Sequence, residues 1–402
     1  MSQRFFSLPA SDLAESLAST REPGARCWRL ALIGAGMMGR EHVRVAALFG
    51  RAEICGVFDP EVDSIALVQA EHTRHFGGIL PVYASLDEAV ADNSVDAYVV
   101  ASPNYTHLAV LEQLMASDRP ILLEKPMATT LADAARVVEL AQQAAGFIQL
   151  GMQYRFKSQY VEAFRAVKGD GALGAIHTIA LAEYRPPFLD KVGQWNKFNR
   201  YSGGTLVEKC CHYFDLMNLM AEARPVSVFA RGGRAVNFLE FEQAGVRSDI
   251  DDHAFVIVSY DNGLHASFTL NMFCQELYEE LVVVGQRGRL VATERSSFRP
   301  GTASTASLTV EVPGHSAYRP IDVTYPAPVE SSGHSGATLF AHRAFIQRLD
   351  GEFVDAATPE QGLWSLVVAS AAQESLQTGS VVDVMDFSRR LGVGLPGHES
   401  VV

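Results

Sequence analysis

Short, continuously apolar runs alternate with amphipathic stretches along the first 151 residues. Such runs suit strands buried on both faces, and the stretches between them have the spacing of helices. The pattern predicts strands at 28–33, 53–58, 95–101, 120–123 and 147–151, and helices at 41–49, 106–117 and 129–145. Strands that alternate with helices form βαβ units, so we expect a doubly wound parallel sheet.

After residue 151 apolar and polar positions alternate, which is typical of strands with one buried face. Such strands are predicted at 176–184, 227–232, 253–260, 263–270 and 281–284, loops and edge strands at 297–336, and helices at 339–349 and 361–377. Asp261-Asn262-Gly263 is typical of a hairpin turn. We therefore expect an α/β chain in which a parallel-sheet domain, 28–151, precedes an α+β domain, 152–402, with a large, mostly antiparallel sheet.

The composition of the 402 residues suits folded domains, with 48% apolar and 20% charged residues. A net charge of −13 argues against a nucleic-acid partner. No segment reads as a transmembrane helix, and the extension at 1–27, with a short helix predicted at 10–19, lacks the apolar core of a secretory signal. Five scattered cysteines favour a reducing compartment, so we expect a cytoplasmic protein without a membrane partner.

A glycine-rich turn, Gly34-Ala-Gly36-Met-Met-Gly39, joins the first predicted strand to a helix. In such a turn the first glycine permits the tight bend, the second admits a pyrophosphate, and the third allows close helix packing. This context predicts a Rossmann domain that binds a dinucleotide at the helix N-terminus. The residues expected to contact the cofactor here are Gly34, Gly36, Met37, Met38, Gly39 and Asp59.

Asp59 follows Gly39 by twenty residues, at the end of the next predicted strand. A carboxylate at this position binds ribose hydroxyls and repels a 2′-phosphate, and no arginine follows it directly. We therefore expect NAD rather than NADP as the cofactor. The alternative is that Asp59 only caps the turn before Pro60.

Glu124-Lys125-Pro126 follows a predicted strand, so the ammonium of Lys125 is expected at the carboxyl edge of the sheet, where open α/β sheets bind ligands. There it could donate to a substrate hydroxyl and take part in proton transfer. The alternative is a surface lysine paired with Glu124.

A second polar cluster follows Gly203-Gly204. If this segment is one helix, Glu208, His212 and Asp215 share a face, and a carboxylate that orients an imidazole is a common acid–base arrangement. The alternative is a half-buried helix whose polar residues pair with one another. A metal site is not expected, because no third ligand is apparent nearby.

Together these motifs resemble the glucose–fructose oxidoreductase and inositol dehydrogenase (Gfo/Idh/MocA) family over nearly the whole chain beyond residue 28. The motifs that carry the resemblance are the glycine turn, Ser102-Pro103-Asn104 with His107, Glu124-Lys125-Pro126, Gly151-Met-Gln-Tyr-Arg155-Phe, and Gly362-Leu-Trp-Ser-Leu with Gly379. The resemblance implies an active site between two domains, reversible oxidation of a secondary alcohol on a sugar, cyclitol or related polyol, and a homodimer or homotetramer.

The resemblance also implies roles for single residues. Lys125 and His212 are implied as catalytic, and Arg155 as a substrate contact. Ser102, Asn104, His107, Glu124 and Lys125 are implied on the nicotinamide and ribose side of the cofactor. Family members usually carry aspartate where this chain has Glu208, which leaves the role of that carboxylate open. Three further residues could line the cleft, namely Arg185, Trp195 and His334.

Three functions are compatible with these features. The first is an NAD-dependent dehydrogenase that acts on a secondary alcohol of a sugar, cyclitol or glycoside. The second is an NAD-recycling enzyme that cleaves a glycoside by transient oxidation and elimination, with Glu208 as an extra base. The third is a non-enzymatic dinucleotide sensor, against which the presence of Lys125 and His212 argues.

Overall fold

In the computed structural model the described residues are 26–297, 302, 304–314 and 320–397. The helix expected at 10–19 lies outside them. The first five strands are β1 (Trp28–Ile33), β2 (Ala52–Phe58), β3 (Ala97–Val100), β4 (Ile121–Glu124) and β5 (Ile148–Gly151). The helices around them are α1 (Met37–Phe49), α2 (Val62–Phe76), α3 (Leu86–Ala91), α4 (His107–Leu114) and α5 (Leu131–Gln143).

The five strands form one parallel sheet in the order β2-β1-β3-β4-β5. β3, β4 and β5 are buried along their whole length, which explains why the sequence shows continuous apolar runs there. Because all strands are parallel, their carboxyl ends lie at one edge, where the glycine turn and Lys125 follow β1 and β4. The expected doubly wound sheet is confirmed.

Two helices of this layer, α2 and α3, were not predicted from the sequence. In α2 the buried residues are Ser64, Val68, Glu71 and His72, and only one of these is an apolar side chain. The helix therefore lacks the apolar stripe that a sequence pattern reveals. α1 begins at Met37, directly after the glycine turn, four residues before the predicted start.

The remaining chain builds a second layer of strands and helices. Its strands are β6 (Ile176–Tyr184), β7 (Pro225–Gly233), β8 (Glu242–Gln243), β9 (Val246–Arg247), β10 (His253–Tyr260), β11 (His265–Asn271), β12 (Leu277–Gly285), β13 (Gly288–Ser296), β14 (Thr305–Glu311), β15 (Ile321–Asp322) and β16 (Val382–Asp383). Its helices are α6 (Ser158–Phe164), α7 (Asn199–Ser202), α8 (Thr205–Glu208), α9 (Cys211–Ala221), α10 (Ala327–Glu330), α11 (Ala337–Leu349), α12 (Pro359–Thr378) and α13 (Val384–Arg390).

Nine of these strands form one sheet in the order β15-β14-β13-β12-β6-β11-β10-β7-β16. All of its pairs are antiparallel except β6–β11, so the expected mostly antiparallel sheet is confirmed. β10 and β11 form the predicted hairpin, and Gly263 adopts a positive φ in its turn. Buried and exposed residues alternate along β10, which leaves Phe255 and Ile257 on the outward face.

Near its end the chain returns to the first sheet. Leu339, Phe340 and Phe345 of α11 belong to the same apolar core as Leu30 of β1 and Val43 of α1. This return places residues from the last third of the chain beside the glycine turn. Among the described residues no helix is both long and apolar enough to cross a membrane.

Candidate active site

The three glycines of the first turn meet different surroundings. A Cβ on Gly34 would lie 2.5 Å from the backbone of Ala101 and Ser102, and Gly34 has φ +101°. A Cβ on Gly39 would lie 2.2 Å from the Gly34 carbonyl oxygen. A Cβ on Gly36 would meet no protein atom within 4 Å, so only Gly36 borders open space, as a pyrophosphate site requires.

α1 starts from this open space. Gly36 is its N-cap and supplies no side chain to bond the first backbone N–H groups. Met37 is exposed on the first turn and Met38 is partly exposed. The N–H groups at this end are thus available to an anion, which the helix dipole also favours.

Asp59 binds the backbone on both of its oxygens. Oδ2 accepts from the N–H of Ala35 at 2.7 Å, and Oδ1 accepts from the N–H of Glu61 at 2.8 Å. The carboxylate therefore stabilises the glycine turn and the loop after β2, as the alternative of a turn-capping Asp59 predicts. It is partly exposed, and a carboxylate has further lone pairs for ribose hydroxyls.

The turn after β3 contains the next expected cofactor residues. Ser102 is partly exposed, and its hydroxyl accepts from Thr106 at 2.8 Å. Asn104 is 5% exposed, and its Nδ2 has no partner among the described residues, so it suits a ligand. His107 is fully buried, with ring nitrogens 2.8 Å from the Pro126 carbonyl oxygen and 3.0 Å from that of Ser102. His107 thus joins two turns of the edge, which corrects the expectation of a cofactor contact.

The turn after β4 places Glu124 and Lys125. Glu124 is buried, and its Oε1 lies 3.0 Å from Nε2 of His42 on α1. The Lys125 ammonium donates to the Glu208 carbonyl oxygen at 2.8 Å and lies 4.0 Å from Oε1 of Glu208. The structure therefore brings Lys125 and Glu208 together, although 83 residues separate them in the sequence.

Glu208 is the centre of a lysine cluster. Its Oε1 accepts from Lys191 at 2.9 Å, and the Lys125 ammonium lies 4.0 Å from the same oxygen. Burial would raise the pKa of Glu208, but the two ammonium groups hold this pKa well below its usual range. Glu208 is thus an anion that neutralises and orients lysines.

The helix that was expected to carry Glu208 and His212 is interrupted. α8 ends at Glu208 and α9 begins at Cys211, so the two side chains do not share one helical face. The Glu208 carboxylate accepts from Lys191, and His212 Nδ1 has no partner among the described residues. The expectation that Glu208 orients His212 is therefore wrong, because the two side chains do not bond each other.

His212 is held by an aromatic ring instead. Its imidazole stacks on Tyr154 with centroids 4.0 Å apart and planes 4° apart. Burial, and next the charges of Lys125 and Lys209, hold the pKa of His212 well below its usual value. Burial and neighbouring cations, rather than a carboxylate, therefore set the protonation of this imidazole.

Arg155 is bound to an aspartate of α9. Its guanidinium is fully buried and makes a bidentate pair with Asp215, at 2.7 and 2.6 Å. A buried arginine bound in this way fixes the start of the second domain against α9. Nη1 of Arg155 has no partner among the described residues, so a substrate contact through this atom stays a prediction.

Arg185 and Trp195 lie near the lysine cluster. Arg185 lies 3.6 Å from Glu183 and donates to the Pro186 carbonyl oxygen at 3.1 Å. Trp195 is 9% exposed, and the Lys191 ammonium lies 4.3 Å from the centre of its ring. Neither contact excludes a ligand, so both residues stay candidates for substrate binding.

Sequence reasoning missed three residues of this site. Lys191 lies in an irregular loop with no periodic pattern, and Tyr154 was seen only as part of a motif. Gln153 is 1% exposed, and both polar atoms of its amide lack a partner among the described residues. It follows β5 by two residues, beside the Lys125 turn, and the motif that contains it could have drawn attention to it.

The edge as a whole fits a dinucleotide. Open space at Gly36, a free helix N-terminus, and the unpartnered amide of Asn104 lie along successive strands of one sheet edge. Among the described residues no group of three His, Cys, Asp or Glu side chains could hold a metal ion.

Two family models match the chain. Residues 28–152 match the Gfo/Idh/MocA model described as "Oxidoreductase family, NAD-binding Rossmann fold". Residues 169–384, more than half of the chain, match its companion, "Oxidoreductase family, C-terminal alpha/beta domain". The expected cofactor, NAD, is confirmed by the first match.

Among curated proteins, a myo-inositol 2-dehydrogenase of Thermotoga maritima is 25% identical over 267 residues, which are 66% of this chain and 75% of that protein. The rhizopine catabolism protein MocA of Rhizobium meliloti is 27% identical over 200 residues, 50% of this chain. The match spans 59% of MocA.

Solved structures share the fold. The WlbA dehydrogenase of Bordetella pertussis, in complex with NADH and UDP-GlcNAcA, has a TM-score of 0.67 at 21% identity, over 89% of this chain and 99% of that one. GenD2 from gentamicin A biosynthesis, in complex with NAD, has a TM-score of 0.69 at 23% identity, over 90% and 97%.

Proposed function

Because the chain belongs to the Gfo/Idh/MocA family of oxidoreductases, we propose that it transfers hydride between NAD and a secondary alcohol of a sugar, cyclitol or glycoside. The observation that carries this proposal is the pairing of two groups at the carboxyl edge. The ammonium of Lys125 bonds the Glu208 carbonyl oxygen at 2.8 Å, at the turn that leads into the helix of His212, and its charge lowers the pKa of that imidazole. A cation and a neutral base side by side suit an alcohol that loses its proton.

Bound NAD would supply the hydride acceptor. In our proposal the Lys125 ammonium donates a hydrogen bond to the substrate hydroxyl oxygen and stabilises the negative charge that develops there. His212 is neutral near pH 7 because its pKa is low, so it can accept the hydroxyl proton. Tyr154 keeps the imidazole plane fixed by stacking on it.

Glu208 has a different role from the one expected. It holds Lys125 through the backbone carbonyl at 2.8 Å and offsets the charge of both neighbouring lysines. Without this anion, the like charges of Lys125 and Lys191 would repel each other. Glu208 is therefore proposed as a positioning residue for Lys125.

We also propose that NAD is preferred to NADP. Asp59 is fixed by two backbone N–H groups beside the glycine turn, where the adenosine ribose binds in Rossmann domains. A fixed carboxylate at this place would repel a 2′-phosphate.

A homo-oligomer remains our proposal for the assembly. The outward face of the nine-stranded sheet exposes Phe255 to 59% and Ile257 to 51% on one strand. Apolar side chains exposed side by side favour association. Light scattering of the purified protein would test it, and a mass equal to one chain would contradict it.

The proposed activity is tested by incubating the protein and NAD with a panel of polyols, sugars and glycosides, and by following NADH absorbance together with the products. Net NADH formation with at least one compound supports it. Cleavage of a glycoside without net NADH would favour the NAD-recycling alternative, and no turnover would contradict both.

Lys125→Ala should lower kcat by about 10²–10⁴-fold while NAD affinity changes only a few fold. Lys168→Ala is the matched control, since Lys168 is also partly buried and lies 3.1 Å from a glutamate.

A further inference from the structure

Buried Glu41 and partly exposed His334 form a hydrogen-bonded pair that the proposed mechanism does not use. Oε1 of Glu41 lies 2.7 Å from Nδ1 of His334 and also accepts from the Thr338 hydroxyl at 2.5 Å. Burial would raise the pKa of Glu41, but His334 lowers it to about 2. Glu41 is therefore an anion at neutral pH and has a fixed place on α1.

The backbone around His334 has an unusual conformation. Gly333, His334, Ser335 and Gly336 all have positive φ, between +44° and +132°, a conformation that is costly for the two that are not glycine. The Ser335 hydroxyl donates to a glutamate oxygen at 2.6 Å. A Cβ on Gly333 would lie 2.3 Å from the Glu41 carboxyl carbon, so this glycine allows the close approach.

His334 lies beside the catalytic imidazole. Its ring centroid is 6.4 Å from that of Tyr154, which stacks on His212, and its charge contributes to the low pKa of His212. The His334 side chain is 33% exposed, whereas His212 is 2% exposed. His334 is thus the more open imidazole of the two.

The orientation of His334 leaves one atom free. Glu41 occupies Nδ1, and no residue of the described chain bonds Nε2. Imidazoles that bind a carboxylate through Nδ1 present Nε2 to a ligand in a fixed direction. The pair therefore leaves Nε2 available to a ligand, on an imidazole that lies next to Tyr154 and is held from α1.

We propose that His334, held by Glu41, is a further substrate-binding residue whose Nε2 makes a hydrogen bond with a second oxygen of the polyol. This inference rests on the proposed function, because it requires a substrate with more than one hydroxyl group. Lys125 and His212 engage the hydroxyl that is oxidised, and His334 selects a ring that carries another hydroxyl within reach. In this proposal, a residue from the last third of the chain determines which polyols bind.

The test compares His334→Ala, Glu41→Gln and wild type on the compound from the panel that is oxidised best, and on its analogues that each lack one hydroxyl. His75→Ala is the matched control, since His75 has a 31% exposed side chain and lies 3.3 Å from Glu71 on α2. NAD affinity, measured by NADH fluorescence titration, shows whether each variant retains a formed cofactor site.

We expect His334→Ala to lower kcat/KM about 10- to 100-fold for the parent compound, as the loss of one polar contact predicts, with NAD affinity unchanged. For one deoxy analogue the variant and the wild type should have equal kcat/KM, because the contact is already absent. On the parent compound, the kcat/KM of Glu41→Gln should lie between those of His334→Ala and the wild type. The kcat/KM of His75→Ala should equal that of the wild type.

Two results would overturn the inference. One is an unchanged kcat/KM in His334→Ala on the parent compound, and the other is an equal loss on every deoxy analogue, which would indicate a structural role. If the wild type still oxidises the parent compound when either result is found, only the inference on His334 fails and the proposed function is retained. If the wild type oxidises no compound of the panel, both proposals fail.

Discussion

Gly36→Ala separates cofactor binding from folding more cleanly than any other change at the edge. Gly36 has φ −67°, which alanine adopts without strain, and its added Cβ would meet no protein atom within 4 Å. The folded protein should therefore accept the methyl group. Its free energy of unfolding should stay level or rise by about 0.4–1 kcal/mol, because alanine restricts the unfolded chain.

The same methyl group would occupy the space in which the pyrophosphate approaches the N-terminus of α1. Backbone hydrogen bonds to a charged group contribute about 1.5–3 kcal/mol each, and the helix dipole adds about 0.3–1 kcal/mol. If the phosphate loses one such bond and part of the dipole interaction, NAD binding weakens by about 2–4 kcal/mol. That corresponds to a Kd about 30- to 700-fold higher.

Two measurements test this prediction, a calorimetric titration with NAD and a thermal unfolding curve without it. Gly394→Ala is the control, since a Cβ there also meets nothing within 4 Å. Gly39→Ala should fail differently, by destabilising the fold, because its Cβ would lie 2.2 Å from Gly34. An NAD Kd within threefold of wild type in a fully folded Gly36→Ala protein would refute the phosphate site.

Three further predictions concern single side chains. Asp59→Ala should narrow the preference for NAD over NADP and lower the melting temperature, because two backbone N–H groups lose their acceptor; titrations with both cofactors and a melting curve test this. The kcat/KM should stay constant as pH falls from 8 to about 6.5 and should decline only at lower pH, because the low pKa of His212 keeps the base unprotonated. A decline centred above pH 7 would contradict this prediction. Glu208→Gln should reduce kcat but leave the decline of kcat/KM at low pH where it is in the wild type. A shift of that decline would instead indicate that Glu208 interacts directly with His212.

The sequence was most informative where one physical requirement decides the residue. The turn at Gly34 and Gly39 must be tight, so its glycines could be recognised and their surroundings anticipated. Buried parallel strands need continuous apolar runs, so β3 to β5 were found within a few residues of their observed bounds. Lys125 could be placed because it directly follows such a strand.

The sequence was least informative where distant segments meet. The spacing of Glu208 and His212 suited one helix, but the chain leaves the helix at 209–210 and the two side chains take different partners. Lys191 reaches Glu208 from an irregular loop, which no periodic pattern marks. The pairing of Arg155 with Asp215 also escapes the sequence, because 60 residues separate the two side chains along the chain.

The shared core of α1 and α11 bears on how the chain is made. Ribosomal synthesis delivers the first five strands long before Phe340, and about 190 residues separate that phenylalanine from the end of β5. At about 5–20 residues per second this interval lasts roughly 10–40 s, during which the face of α1 that later contacts α11 stays uncovered. A nascent chain in this state is a natural client for a chaperone. A fragment that stops at residue 152 should remain in that condition permanently and aggregate.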